Sequence, residues 1–123
     1  MPTSNPNLTV YGYTKCDSCR KAIKWLDTAG LEHTFVDITK HPPTAATLAA
    51  LLDGGRYELK HLFNTSGQLY RSMKIKDQLP TMSKNEALAL LAANGMLIKR
   101  PILTDGTRHT LGFRPEVLAE VWG

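Results

Sequence analysis

Apolar positions along this chain follow two rhythms, and the switch between them comes early. Leu8-Thr9-Val10-Tyr11-Gly12-Tyr13 is a β-branched and aromatic run that predicts a strand. Ala22, Ile23, Trp25, Leu26 and Ala29 then recur at helical spacing, which predicts a helix over roughly Cys16 to Ala29 with Gly30 placed as its C-cap. Strand-type residues return from Leu31 to Ile38. The product is a β-α-β unit whose crossover is long enough for parallel strands with a right-handed connection. The helix N-terminus then projects from the carboxyl end of the first strand, the usual place for a reactive group in an open α/β sheet.

Beyond this unit the pattern turns helical. His41-Pro42-Pro43 breaks the chain, Thr44 to Leu52 predicts a second helix ended by Asp53-Gly54-Gly55, and a third helical stretch is expected near Tyr57 to Phe63. Asn64-Thr65-Ser66-Gly67 reads as a turn. Lys74 to Gln78 and the loop Leu79-Pro80-Thr81-Met82 lead to Ser83, an N-cap with Glu86 in capping-box register, and a helix over Lys84 to Asn94. The chain closes with a hairpin, Ile102 to Thr104 and Arg108 to Gly112 about the turn Asp105-Gly106, and a helix from Arg114-Pro115 to Trp122. The order β-α-β, helices, β-β-α is that of a thioredoxin-like α/β fold with a mixed sheet. A single domain over 1–123 is expected, with a helical insert at roughly 43–95.

The two cysteines form one motif, Cys16-Asp17-Ser18-Cys19, where the first strand gives way to the helix. Unpaired N–H groups and the positive end of the helix dipole favour a thiolate at Cys16, and Lys15, Arg20 and Lys21 add positive charge nearby. Cys19, three positions on, comes round to the same helix face, so one sulfur can attack and the other resolve. Simple packing of two small apolar side chains is the bland alternative. A structural zinc would need four ligands, and His33, His41, His61 and His109 are scattered singly without ligand spacing. No metal or organic cofactor is expected. Asp17 and Ser18 are read as the variable middle of the motif, and Trp25, Phe35 and Trp122 as packing residues.

Composition narrows the setting. A chain of 123 residues with 42% hydrophobic content fills one core. No apolar run is long enough to span a bilayer, and the N-terminal Met1-Pro2-Thr3-Ser4-Asn5-Pro6-Asn7 lacks the regions of a signal peptide, so a soluble cytoplasmic protein is expected. In that compartment a C-x-x-C rests reduced and becomes a disulfide transiently. The net charge of +4 and pI near 9.2 come from 15 basic residues interleaved with acids, and no nucleic-acid motif accompanies them. A mildly basic face that receives anions accounts for the balance.

Pro101 stands between a helical segment and the hairpin, where an X-Pro bond can be cis at small cost. In a thioredoxin-like sheet a cis-proline at this position lies against the C-x-x-C. The backbone of Arg100 would then face Cys16, and its planar fork suits an oxyanion or carboxylate. Arg114 can return to the same rim or simply sit in the first turn of the last helix.

Three segments carry a resemblance over nearly the whole chain: Tyr13-Thr14-Lys15-Cys16-Asp17-Ser18-Cys19-Arg20-Lys21-Ala22, Leu62-Phe63-Asn64-Thr65-Ser66-Gly67, and Met96-Leu97-Ile98-Lys99-Arg100-Pro101-Ile102. With Asp105-Gly106 and Gly112-Phe113 in the expected places, the chain resembles the arsenate reductase (ArsC)/Spx family, in its reductase-like branch. That resemblance implies a nucleophilic Cys16 with Arg100 before a cis Pro101, and a substrate-binding set of Thr14, Lys15, Asn64, Pro101 and Arg114. The family's reductases use three arginines; Arg100 matches one, Arg114 another if the hairpin turn gains a residue, and the third falls at Asn64 or a neighbour. Those reductases commonly carry serine where Cys19 stands, whereas C-x-x-C is the pattern of Spx-like regulators, which bind the RNA polymerase α-subunit. Phosphatase-like namesakes built on C-x5-R are excluded by Ala22. The resemblance thus implies a thiol-disulfide oxidoreductase with glutathione or another thiol as co-substrate and glutaredoxin or thioredoxin as partner. A redox-sensing regulator and a true arsenate reductase are its alternatives.

Overall fold

The structure is a computed structural model and describes residues 8–123; the polar N-terminal stretch Met1–Asn7 lies outside the described residues. Its elements are β1 (Thr9–Gly12), α1 (Asp17–Thr28), β2 (Thr34–Asp37), α2 (Ala45–Asp53), α3 (Gln68–Ser72), α4 (Ile75–Gln78), α5 (Lys84–Ala93), β3 (Ile102–Thr104), β4 (His109–Leu111) and α6 (Pro115–Trp122). Short 3-10 turns cover Leu59–Leu62, Leu79–Thr81 and Gly95–Leu97. The chain divides into two compact units, one of residues up to Asp37 together with Arg100–Gly123, the other of Ile38–Lys99.

The first unit is built on a four-stranded sheet in the order β2-β1-β3-β4. β1 runs parallel to β2, with Val10 opposite Phe35, and antiparallel to β3, with Val10 opposite Leu103; β3 and β4 are antiparallel. This is the thioredoxin-like arrangement with a mixed sheet that the element order predicts. Leu8, Val10 and Leu103 from the sheet side, Leu26 of α1, and Leu118 and Trp122 of α6 form one core cluster. Trp25 and Phe35 pack partly buried against it, consistent with packing roles. Six residues of this size, removed from water at about 1.5–3 kcal/mol each, bind both helices to the sheet.

Local sequence sets the ends of α1. Gly30 lies one residue beyond the C-cap Ala29, at φ +74°, where a left-handed conformation suits glycine. Its N–H donates to Asp27 O and that of Leu31 to Leu26 O, the paired bonds of a Schellman motif. These bonds hold Leu31 against the helix end, so β2 begins at Thr34 rather than at Leu31 as the apolar pattern predicts.

Within the second unit, α2 is capped by Thr44, whose hydroxyl accepts from Thr47 N–H at 3.2 Å, and α5 by the reciprocal Ser83–Glu86 box. Their apolar faces are buried through Leu48 and Leu51 on α2 and Ala87, Leu88 and Leu91 on α5. The helix expected over Tyr57–Phe63 shrinks to the 3-10 turn at Leu59–Leu62. Phe63 is extended instead and bridges Ile98, and Lys99 N–H donates to Leu62 O at 2.7 Å. α3 answers to no sequence expectation, having only five residues and no buried side chain. At Gly95 a Cβ would collide with Ile38 O, so the close approach there requires glycine.

Among the described residues no helix is long and apolar enough to cross a membrane.

Candidate active site

β1 ends at Gly12, and a tight turn carries the chain over Tyr13, Thr14 and Lys15 into α1. Cys16 N–H closes that turn by donating to Tyr13 O at 3.0 Å. Cys16 is the N-cap residue, extended at φ −97° and ψ 121°, and its carbonyl accepts the first helical bond from Arg20 N–H at 3.1 Å. Its sulfur therefore stands at the helix N-terminus, as the motif's placement predicts, and is partly open to solvent, whereas Cys19 is fully buried. Gly12 explains that burial: a Cβ there would lie 3.1 Å from Cys19 Sγ and 3.1 Å from Phe35 Cε1. Tyr13 N–H donates to Cys19 Sγ at 3.4 Å, so the thiol is held from above by backbone.

Arg100 enters from the other side of the sheet order, just ahead of β3. The Arg100–Pro101 peptide is cis, Pro101 is buried, and Pro101 O accepts from Gly112 N–H at 2.8 Å. The Arg100 guanidinium lies over the Tyr13 ring, Cζ to centroid 5.2 Å. Among the described residues its Nη1 is the one buried side-chain nitrogen or oxygen without a hydrogen-bond partner. A buried, charged donor left unpaired is costly, and Nη1 is free to take an anionic acceptor.

The two thiols are pushed in opposite directions. At Cys16 burial disfavours the thiolate, but hydrogen bonding from the Cys19 thiol and backbone N–H, then the hydrogen bond and charge of Arg100, outweigh it and leave the group below its ordinary value. The Cys16 sulfur closes no cap bond of regular geometry, so the Cys19 N–H acts on it through a loose bond. At Cys19 burial, reinforced by its hydrogen bond to Cys16 and the charge there, pushes the thiol up to about 12 against weaker relief from Tyr13 N–H and Arg100.

Other expected positions fall differently. The cationic support assigned to Arg20 and Lys21 is corrected: Asp17 pairs with both, at 3.0 Å and 3.7 Å, and Arg20 Nη1 also donates to Thr14 O at 3.1 Å. Both side chains turn toward Asp17 on the exposed helix start, and the cation acting on Cys16 is Arg100. Thr14 and Lys15 are exposed on the turn beside Cys16. Arg114 is the N-cap residue of α6, 63% exposed, with its Nε 3.4 Å from Glu116 Oε1. Asn64 lies in the second unit, where its N–H donates to Leu97 O at 2.7 Å and its carbonyl accepts from Gly67 N–H at 3.0 Å. A Cβ at Gly67 would lie 2.8 Å from Asn64 Nδ2, so locally the Asn64 side chain lies along the turn. Tyr13 and Gly12 are the site residues that sequence reasoning passed over as strand. The signal was an aromatic and a glycine directly before the cysteine turn.

Known proteins match this chain along its length. The model of the ArsC family matches residues 11–121. The protein YusI of Bacillus subtilis strain 168, itself uncharacterised, is 47% identical over 116 residues, 94% of this chain and 98% of that one. The regulatory protein MgsR of the same organism is 29% identical over 93% of this chain and 89% of its own. A solved structure of a possible arsenate reductase from Streptococcus mutans superposes with a TM-score of 0.85 at 43% identity, covering 94% of this chain and 99% of that one.

Proposed function

The chain belongs to the ArsC family, and on that footing we propose that it is a thiol-disulfide oxidoreductase in which Cys16 attacks and Cys19 resolves. The observation that carries the reading is the opposite tuning of two thiols in contact, one partly exposed and lowered beside Arg100, the other sealed and pushed up to about 12. Only the first is a nucleophile at neutral pH.

The chemistry balances as two exchanges. The Cys16 thiolate attacks one sulfur of a substrate disulfide, forms a mixed disulfide and releases one substrate thiolate, which solvent protonates. Loss of the Cys16 charge removes part of what holds Cys19 protonated, while Tyr13 N–H and Arg100 still favour its thiolate. Cys19 then gives its proton to solvent and attacks Cys16 Sγ, forming the Cys16–Cys19 disulfide and expelling the second substrate thiolate. Two thiols of an external donor, glutathione or a glutaredoxin or thioredoxin dithiol, return the pair to the reduced state and leave as a disulfide. Arg100 stabilises the thiolate and offers Nη1 to an anionic group of the substrate; Pro101 shapes the wall beside it. Thr14 and Lys15 line the approach, and Asn64 and Arg114 are the remaining candidates for substrate contact.

Turnover of a low-molecular-weight disulfide with a thiol donor tests this. Cys16→Ser is expected to abolish turnover, and Cys19→Ser to accumulate a mixed disulfide visible by intact mass. Normal turnover of Cys19→Ser would remove its resolving role.

A second reading is favoured by the match to MgsR together with the intact C-x-x-C. In it the pair senses oxidants and the protein binds the RNA polymerase α-subunit with an affinity that differs between dithiol and disulfide. Binding that is absent in both states would end it. Arsenate reduction, suggested by the likeness to a possible arsenate reductase, is tested by supplying arsenate as the oxidant in the same assay.

A further inference from the structure

Tyr13 touches every member of the cysteine site, through three different groups. Its carbonyl accepts from Cys16 N–H at 3.0 Å, its N–H donates to Cys19 Sγ at 3.4 Å, and its ring lies under the Arg100 guanidinium at 5.2 Å. The first two contacts are backbone and would be made by any residue at this position. The third belongs to the side chain alone.

Arg100 reaches the Cys16 sulfur with one edge of its fork left free. Its Nη1 is buried and unpartnered, so no carboxylate or carbonyl fixes that edge of the fork. An aromatic face attracts a cation through its quadrupole and holds a planar guanidinium without consuming any of its five N–H donors. We propose that the Tyr13 ring is a positioning residue, which holds the Arg100 guanidinium beside Cys16 while leaving its donors available to the thiolate and to an anionic substrate. The ring does by stacking what a carboxylate would do by pairing, and a carboxylate would cancel the positive charge on which Cys16 depends. This inference rests on the reading of Cys16 as a thiolate nucleophile supported by Arg100.

The test is the pH dependence of Cys16 alkylation by iodoacetamide, measured in wild type, Arg100→Ala, Tyr13→Leu, Tyr13→Gln and Tyr13→Phe, with thermal unfolding of each. Phenylalanine keeps the aromatic face and lacks the hydroxyl. Tyr13→Phe is therefore expected to titrate like wild type, while Tyr13→Leu and Tyr13→Gln raise the apparent Cys16 pKa by roughly half a unit to one unit. Their alkylation rate below that pKa falls by about threefold to tenfold in step. A purely structural role would lower the unfolding temperature without moving the titration. If Arg100→Ala shifts the titration and both ring-deleting variants do not, the positioning role of Tyr13 is overturned while the site stands. If Arg100→Ala also leaves it unmoved, the site reading and the inference fall together.

Discussion

Among the described residues two arginines lie over aromatic rings, and only one of them has a partner for every guanidinium nitrogen. Arg108 sits over Trp122 with Cζ 4.8 Å from the centroid, its Nε and Nη2 both 3.0 Å from Asp105 Oδ2, and its Nη1 donates to Val121 O at 2.9 Å. Arg100 sits over Tyr13 at 5.2 Å with its Nη1 buried and unpaired. The same side chain and the same stacking serve two ends. At the hairpin turn all three guanidinium nitrogens find a partner and tie β3, β4 and α6 together, with Trp122 Nε1 donating to Thr110 Oγ1 at 3.0 Å beneath them. At the cysteine corner one donor is held back. Paired donors make a structural clamp, and the donor held back at Arg100 is the one the proposed substrate contact would use.

The hardest way to break that contrast is to remove the anchor of the satisfied corner. Asp105 Oδ1 accepts from Thr107 N–H at 2.9 Å and Arg108 N–H at 2.6 Å, besides holding the guanidinium through Oδ2. Asp105→Ala is expected to cost about 2–3 kcal/mol in urea denaturation while Cys16 alkylation stays at the wild-type rate. Burial alone would raise the Asp105 carboxyl, but N–H groups of Arg108 and Thr107 and the Arg108 guanidinium hold it at about 2. Its folded value is thus below its unfolded value of 3.8. The stability it contributes is complete above pH 3.8 and is lost as pH falls through about 2. The difference of about 2–3 kcal/mol between wild type and variant at neutral pH should therefore shrink in that acid window; a difference independent of pH would break the clamp reading.

A smaller effect sharpens the other half. Arg100→Met replaces a buried unpaired donor with a flexible apolar side chain, so stability is expected to stay level or rise by up to about 1 kcal/mol, even as the Cys16 titration moves upward. A marked loss of stability would make Arg100 a clamp like Arg108. Smallest is Arg114→Ala, which deletes an exposed pair with Glu116. A change within about 0.5 kcal/mol and an unmoved Cys16 titration are expected; a shifted titration would bring Arg114 into the site.

How much of this was legible in the sequence follows from the range over which each feature is encoded. α1, α2 and α5 carry caps and periodic apolar faces within themselves, and their bounds fall within a residue or so of expectation. The pair Cys16 and Cys19 at the strand-to-helix junction is likewise local, as is the proline after Arg100. Phe63 escaped because its extended pairing with Ile98 involves a residue 35 positions away, which no local pattern announces. The pairing of Arg20 and Lys21 with Asp17 depends on which way two long side chains turn. The role of Tyr13 is hidden for a related reason: its partner Arg100 is 87 positions distant, and its alternation within a strand-like run disguised it as more of β1.

The absent side chain of Gly12 has a consequence in reagent arithmetic. Because Cys19 is buried against Gly12, where a Cβ would lie only 3.1 Å from its sulfur, native protein exposes one thiol to solvent although its sequence contains two. To an alkylating agent the folded chain is a monothiol, and the second equivalent belongs to the unfolded one. Labelling stoichiometry thereby doubles as a meter of foldedness at the centre of the site, with no probe added to the molecule.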